Sequence, residues 1–269
     1  MKQFVKAISG VLVTVVLLLC CRTNGYAQTS QLADRGLQDT LPVKEWRFLL
    51  EPYFMAASIK GTVGLGNLPD AEVDEEFSDI VKNLKFGAMI YFETYNPEWA
   101  ITSDMIYIKL GADLTPNIII NSGEVEVKQL SWELAGLRKF FPWLEGGLGV
   151  QLNSIKSELA MNIKTLNGSA NRSGDLTETW VDPMIIARVK FPVGKKFLLQ
   201  LRPSIGGFGI GSDLAWQVQG HATYRFSPLF QLSAGYRVIG ADYEKGSGQD
   251  RFLYDVNTFG PVIRFGFNF

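Results

Sequence analysis

The stretch Phe259-Gly-Pro-Val-Ile-Arg-Phe-Gly-Phe-Asn-Phe269 carries the pattern that decides the fold. Side chains on an extended strand alternate between its two sides. Phe265 and Phe267 therefore share one side, while Arg264 and Asn268 share the other. This stretch predicts a strand with one apolar face and one polar face.

The same alternation recurs upstream and predicts ten extended segments. They span about 46–60, 84–95, 99–112, 122–139, 143–158, 178–192, 196–208, 213–226, 229–243 and 251–269. Many are longer than the strands of soluble domains, and they match the length of a tilted strand that crosses a bilayer. In one of them, Trp216 and Val218 alternate with Gln217 and Gln219. A shift of one residue would turn the charged faces toward lipid, so the register is well specified.

The connections between the predicted strands alternate between short and long. The short ones are Asn96-Pro97-Glu98, Phe141-Pro142, Gly194-Lys195-Lys196 and Ser227-Pro228, and the long ones include residues 159–177. Short periplasmic turns opposite long outer loops are typical of outer-membrane β-barrels. The sequence predicts an all-β, antiparallel, up-and-down transmembrane barrel of ten strands, with eight as the alternative count. An even number of strands returns both termini to the periplasm.

Aromatic residues gather at the ends of the predicted strands, as they do at membrane interfaces. Near the long loops these residues are Tyr107, Trp180, Trp216 and Tyr243. We expect them to form the outer aromatic belt of the barrel.

The N-terminal segment has the features of a secretory signal peptide. Lys2 and Lys6 precede an apolar run from Val11 to Cys21, and small residues occupy the −3 and −1 positions of Gly25-Tyr26-Ala27. We therefore expect residues 1–27 to be removed on export. A lipoprotein with Cys20 or Cys21 lipidated is the competing interpretation.

The remaining chain divides into a polar periplasmic lead-in, residues 28–45, and the barrel, residues 46–269. Both cysteines lie in the removed segment, so no disulfide framework is expected. Loss of Lys2, Lys6 and Arg22 lowers the basic count from 26 to 23 against 27 acidic residues, a net charge near −4. Such a chain is not expected to bind nucleic acid.

One segment of the first long loop, Asp74 to Leu84, has helical periodicity. Phe77, Ile80 and Val81 recur at helical spacing, with acidic residues before them and lysines after them. The sequence predicts a short loop helix that packs on the rim of the barrel. The alternative is a lid or plug over the barrel mouth.

Several segments resemble the landmarks of a family of bacterial outer-membrane β-barrel proteins, loosely akin to the small barrels of the outer-membrane protein A and W types. They are Gly61-Thr-Val-Gly-Leu-Gly66, Phe77 to Gly87, Trp99 to Leu110, Gly206-Gly-Phe-Gly-Ile-Gly211 and Gly235 to Tyr243. The resemblance implies the barrel fold and a cell outer-membrane location. For such a protein we expect outer-membrane lipid and the barrel-assembly machinery as partners, and a monomer. Members of that family have no assigned reaction, so no catalytic residue or cofactor is implied.

The polar faces of the predicted strands collect charges of both signs in the lumen. They are Glu51, Glu93, Asp104, Glu133, Glu145, Asp182, Arg188, Lys190, Arg202, Arg225, Arg237 and Arg264. Charges in a partly dehydrated space are costly unless they are paired, which favours a salt-bridge network that fills the barrel. The alternative is a narrow, porin-like polar channel whose charged walls select small ions.

Two further hypotheses concern binding and catalysis. A lipid or small apolar ligand would bind around the helix at 74–84 and the loop at 159–177. A hydrolase would use His221, with Ser204 or Ser233 on the neighbouring strands as the nucleophile. A histidine hydrogen-bonded within the lumen is the preferred interpretation, and neither a zinc nor a phosphate motif is present in the sequence. The sequence therefore predicts a non-enzymatic barrel without a cofactor or metal.

Overall fold

The computed structural model describes residues 45–113, 120–165 and 168–269, most of which form β-strands. The strands are β1 (Arg47–Met55), β2 (Ser58–Leu65), β3 (Ala71–Glu75), β4 (Leu84–Tyr95), β5 (Trp99–Asp113), β6 (Ile120–Phe141), β7 (Leu144–Thr165), β8 (Gly168–Val193), β9 (Phe197–Gly207), β10 (Leu214–Arg225), β11 (Phe230–Lys245) and β12 (Phe252–Asn268). One α-helix, α1 (Phe77–Lys82), and one 3-10 turn, Gly248–Asp250, complete the elements. Neither helix is long and apolar enough to span a bilayer. The predicted signal peptide and residues 28–44 lie outside the described residues.

All neighbouring strands are antiparallel, and pairing of β1 with β12 closes the sheet into a ten-stranded barrel. Strands β1 and β2 pair with β12 one after the other, at Met55↔Val262 and then at Ser58↔Phe259. They therefore act as one interrupted barrel strand, and β3 adds only to the edge of β2. The predicted count of ten is confirmed, and the alternative count of eight is wrong.

The interruption between β1 and β2 faces Gly260 of β12. The Ala56 amide donates to the Pro261 carbonyl at 2.9 Å. A Cβ at Gly260 would lie 2.0 Å from the Ala56 carbonyl oxygen, so only glycine fits there. The β11–β12 register continues through Gly260 and Pro261 without a bulge, and the two faces of β12 keep their identity.

The four predicted short turns are confirmed, but the long loop predicted at 159–177 is wrong. Strand β7 runs to Thr165 and β8 begins at Gly168, and the two remain paired throughout. The polar composition of this segment suggested a loop. A strand pair that stands above the membrane with water on both sides also carries polar residues on both faces, so composition does not separate the two cases.

Helix α1 is shorter than the predicted helix at 74–84. The backbones of Asp74 and Glu75 belong to β3, where they pair with Lys60 and Ile59 of β2. The Phe77 amide donates to the Ser58 hydroxyl at 3.2 Å, and its ring meets the Phe54 ring edge-on at 5.7 Å. Because Phe54 points away from the lumen, these contacts fit the predicted helix that packs on the rim rather than a lid.

The barrel wall is uneven in height. Strands β6, β7 and β8 contain 22, 22 and 26 residues, whereas β9 and β10 contain 11 and 12. The low side ends in a tight turn where Gly207, Phe208 and Gly209 all have positive φ. We call β6–β8 the tall wall and β9–β10 the low wall.

Candidate functional site: the charged lumen

Most of the charged residues predicted to face the lumen meet inside the barrel. All but two of the predicted charged residues are buried, with Lys190 half-buried and Arg225 exposed. Arg225 lies opposite Gln231 of β11, on the inward-facing side of β10. It is exposed because it is the last residue of β10, at the end of the barrel with the short turns.

Arg188 of β8 is the centre of the first cluster. Its Nη1 and Nη2 donate to the two oxygens of Glu93 on β4 at 2.6 and 2.8 Å, and its Nε donates to Glu145 on β7 at 2.6 Å. Lys190 donates to the other oxygen of Glu145 at 3.0 Å. Three strands separate β4 from β8, so this bidentate pair spans the interior of the barrel.

Arg237 of β11 is the centre of the second cluster. Its Nη1 lies 2.9 Å from the Tyr53 hydroxyl and 3.1 Å from Asp104 on β5, and its Nη2 donates to Gln217 at 2.7 Å. Tyr53 donates in turn to Asp104 at 2.6 Å. Nη2 of Arg264 lies 3.6 Å from the same carboxylate, and its Nη1 donates to Glu51 at 3.4 Å.

The two clusters touch through aromatic rings. The Arg264 guanidinium lies 4.8 Å from the centre of the Tyr53 ring and 4.9 Å from that of Tyr91, and the Tyr91 hydroxyl bonds to Glu93 at 2.6 Å. A third pair, Arg202 with Glu133, joins β9 to β6. The tyrosines were not predicted as lumen residues. Their signal was in the sequence, because Tyr53 and Tyr91 each lie two residues from a predicted lumen carboxylate.

Asp182 is the lumen carboxylate that is held by neutral donors. It accepts hydrogen bonds from the Ser212 amide at 2.6 Å, the Ser212 hydroxyl at 2.9 Å and the Trp180 indole at 3.2 Å. Ser212 comes from the turn on the low wall. A Cβ at Gly211 would lie 2.4 Å from the Val181 carbonyl oxygen, so a glycine lets that turn fold against β8.

Trp180 and Tyr243 face the lumen, contrary to the predicted outer aromatic belt. Their rings stack at 4.2 Å with an interplanar angle of 6°, and both side chains are 5% exposed. The stack lies against Tyr254, whose ring centre is 5.8 Å from Trp180. Strand parity could have shown this, because Trp180 lies two residues from Asp182 and Tyr243 six residues from Arg237. These aromatic side chains therefore lie farther along β8 and β11 toward the long loops than Arg188 and Arg237 do.

The structure does not bring His221 to either predicted serine. Ser233 lies opposite Thr223 and bonds to its hydroxyl at 2.8 Å. Ser204 lies opposite Gln217, four residues along β10 from His221, or roughly 13 Å at the rise of a strand. The position opposite His221 on β9 is Gln200. Within residues 45–113, 120–165 and 168–269, no group of three His, Cys, Asp or Glu side chains is arranged to hold a metal ion.

Comparisons with known proteins identify the fold. No protein-family model and no curated protein matches the chain. The outer-membrane protease OmpT of Escherichia coli is similar in structure, with a TM-score of 0.54 and 10% identity over 84% of this chain and 98% of that chain. The attachment invasion locus protein Ail of Yersinia pestis (TM-score 0.34, 10% identity, 84% and 100% covered) and the P. putida toluene transporter TodX (0.33, 9%, 83% and 90%) also match. The chain therefore has the fold of the bacterial outer-membrane β-barrels.

Proposed function

We propose that the protein is a non-enzymatic outer-membrane barrel whose own side chains close its lumen, so that it serves as a structural scaffold and not as an open channel. The observation that carries this proposal is Arg188. It joins β4, β7 and β8 through Glu93 and Glu145, and none of its side-chain surface is exposed.

The narrow channel is the less favoured of the two predicted functions. A conducting pore needs sites that bind an ion weakly enough for it to leave. Here the charged groups bind one another across the lumen, and the Trp180–Tyr243 stack is buried in the lumen on their side toward the long loops. An ion would have to displace charge-assisted hydrogen bonds in a desolvated space, which is costly.

The outer surface of the wall supports the proposed placement in the membrane. Large apolar side chains such as Trp132, Leu134 and Leu148 are more than two-fifths exposed on that surface, and lipid would cover them. We place the short turns and both ends of the barrel in the periplasm. The ends are adjacent, because the Phe269 amide donates to the Phe48 carbonyl at 2.9 Å. Outer-membrane lipid, the barrel-assembly machinery and a monomeric state are part of this proposal.

The absence of an enzymatic role is likewise a proposal. The similar structure OmpT is described as a protease, but a likeness at 10% identity carries the fold and not the activity. The separation of His221 from Ser204 and Ser233 supports a non-enzymatic barrel.

The hypothesis of an apolar ligand at residues 159–177 finds little support. A groove of about 450 Å³ does lie on the outer face of the tall wall, but charged groups such as Glu126, Lys156, Glu158 and Asp175 line it. Such a lining suits a polar ligand better than an apolar one.

The test is conductance of the refolded protein in a planar bilayer. We expect the wild type to be silent. A variant with Arg188→Ala, Glu93→Ala and Glu145→Ala removes the side chains of the first cluster from the lumen. This variant should produce conductance steps. The matched control is Lys128→Ala, Glu126→Ala and Glu158→Ala on the outer face, which should stay silent.

Steady, ion-selective steps from the wild type would overturn the closed lumen and favour the narrow channel. Retention of the folded, fast-migrating band on unheated gels would show that each variant has refolded.

A further inference from the structure

Three lysines form a row on the outer face of neighbouring strands. Lys109 of β5 lies directly opposite Lys128 of β6, which lies directly opposite Lys156 of β7. With strands about 4.8 Å apart, the row covers roughly 10 Å. Like charges directly opposite each other destabilise a sheet, so the row calls for an explanation.

A row of carboxylates lies one step further toward the long loops. Glu126 lies opposite Glu158, and Glu158 lies opposite Asp175. Glu126 binds Lys109 at 2.7 Å and Lys128 at 2.8 Å, while Glu158 binds Lys156 at 2.7 Å. The carboxylates therefore hold the three ammonium groups in place from one side.

The lysines keep hydrogen-bonding capacity on their other side. An ammonium group has three N–H donors. Within the described part of the chain, Lys109 and Lys156 each bond to one carboxylate and Lys128 to two. Two donors each remain on Lys109 and Lys156 and one on Lys128. The side chains are 28–41% exposed, so a ligand can reach them.

A polar groove continues from the row toward the long loops. Its lower part, of about 450 Å³, includes Glu124, Glu158 and Asp175, and its upper part, of about 500 Å³, is lined by side chains such as Asn171 and Ser173. Carboxylates accept hydrogen bonds from sugar hydroxyls, and amides and hydroxyls both donate and accept. The lining therefore matches the hydrogen-bonding groups of a saccharide.

The height of the row fixes which part of a lipid it would meet. On β6 the outward residues between Lys128 and the short turn include Leu130, Trp132 and Leu134, which belong to the apolar band. Under the proposed placement in the membrane, on which this step rests, Lys128 is the next outward residue toward the long loops. It therefore lies at the headgroup layer of the outer leaflet. The free lysine donors then point toward lipid phosphates, to which cations near a membrane surface are attracted.

We propose that the outer face of β5–β8 binds the phosphorylated saccharide headgroup of an outer-leaflet glycolipid. The row of Lys109, Lys128 and Lys156 holds the phosphate through charge-assisted hydrogen bonds. The groove above the row holds the sugar. The carboxylate row keeps the lysines extended and ordered before the lipid arrives.

The test counts lipids bound to the detergent-solubilised full-length protein by native mass spectrometry. The probe is a bisphosphorylated diglucosamine lipid, compared with the same lipid after removal of both phosphates. We expect the triple variant Lys109→Gln, Lys128→Gln and Lys156→Gln to bind the phosphorylated probe at least about tenfold more weakly. The dephosphorylated probe should bind weakly to both proteins.

The matched control neutralises three other exposed lysines that also pair with carboxylates. Lys60, Lys82 and Lys245 lie 3.1, 2.7 and 3.1 Å from their partners, away from the row. The control triple variant should bind the probe like the wild type. An equal loss in both variants would show a general charge effect and overturn the proposal.

A second variant separates sugar from phosphate. Ser173 is exposed, has the same outward parity as Asp175 and lines both parts of the groove, so Ser173→Trp can fill the groove without disturbing the wall. It should weaken binding of the glycolipid and spare phosphatidic acid, which has a phosphate but no sugar. Equal binding of both lipids before and after this change would overturn the saccharide part. Displacement of the probe by equimolar inorganic phosphate would show a site for free phosphate and overturn the lipid.

The membrane placement is tested separately. Thr177 is exposed and lies opposite Lys156, so Thr177→Cys should react with a membrane-impermeant maleimide in intact cells. Labelling only after lysis would overturn the placement, whereas the binding measurements in detergent do not depend on it.

Discussion

The barrel wall carries ion pairs on both of its faces. Those on the lumen face are buried, and those on the outer face are exposed to water. Inside the barrel, Arg188 is fully buried between Glu93 and Glu145. Outside, Lys128 bridges Glu126 and Glu158 with 28% of its side chain exposed. The bonds are similar in length, but the inner groups have given up water and the outer groups have not. The position of an ion pair, more than its geometry, therefore decides what its loss costs.

The largest expected effect is on the inner set. Arg188→Met leaves Glu93 and Glu145 in the lumen with Lys190 as their remaining cationic partner among the described residues. Removing one partner of a buried ion pair costs roughly 3–5 kcal/mol. We expect the urea midpoint of the refolded barrel in detergent to fall sharply. An unchanged midpoint would mean that water reaches this part of the lumen.

A second prediction concerns the whole inner set. Replacing Arg188→Met together with Glu93→Gln and Glu145→Gln removes the unpaired charges, so the variant should be more stable than Arg188→Met alone. Comparing the unfolding free energies of the single, double and triple variants measures the coupling. Strict additivity would show that the three groups do not interact.

The stacked rings give an intermediate effect. Trp180→Ala removes the face against which Tyr243 packs and leaves a cavity, and such truncations cost about 3–5 kcal/mol in a well-packed core. Because the site lies near the barrel mouth and can partly refill with water, we expect the unfolding free energy to fall by about 3 kcal/mol or less. The control is Trp132→Ala on the lipid-facing side, read by the same unfolding curves.

The outer set should respond weakly and in a salt-dependent way. Lys128→Gln removes one member of an exposed network, and we expect little shift of the urea midpoint at low salt and none at 1 M salt, where charges are screened within about 3 Å. Arg188→Met should cost the same at both salt concentrations. Equal salt dependence of the two variants would contradict the distinction between the two faces.

The smallest expected effect is on proton binding at the outer set. Hydrogen bonds from Lys109 and then Lys128 lower the pKa of Glu126 below its usual value. A depressed folded-state pKa means that the contribution of Glu126 to stability is present above its unfolded pKa and is lost as pH falls through the folded pKa. The NMR chemical shift of the side-chain carboxyl carbon of Glu126 should therefore titrate at a pH below the ordinary glutamate pKa of about 4.3. Lys109→Gln should move that titration upward.

The sequence predicted the elements whose signal is local. Turns such as Asn96-Pro97-Glu98 and Ser227-Pro228 were found because proline and polar residues interrupt the apolar alternation. The lumen carboxylates were predicted because a charged residue in an alternating strand that crosses the membrane must face the lumen to avoid lipid. The strand extensions of β7 and β8 were missed, since only their mutual backbone pairing, and not their composition, distinguishes them from a loop.

The alternation with a period of two thus determined by itself which side chains of each strand face inward, because the geometry of a strand leaves no other choice. It did not determine which inward groups meet. The pairing of Arg188 with Glu93 depends on the tilt of the strands and on closure through β1 and β12, which set residues far apart in sequence at the same height. In the sequence, Lys128 and Arg188 also look alike, because each is a basic residue within an alternating strand. The closed barrel excludes water from its inner face and not from its outer face. For this reason Arg188 is a buried residue that joins three strands, whereas Lys128 is an accessible surface residue.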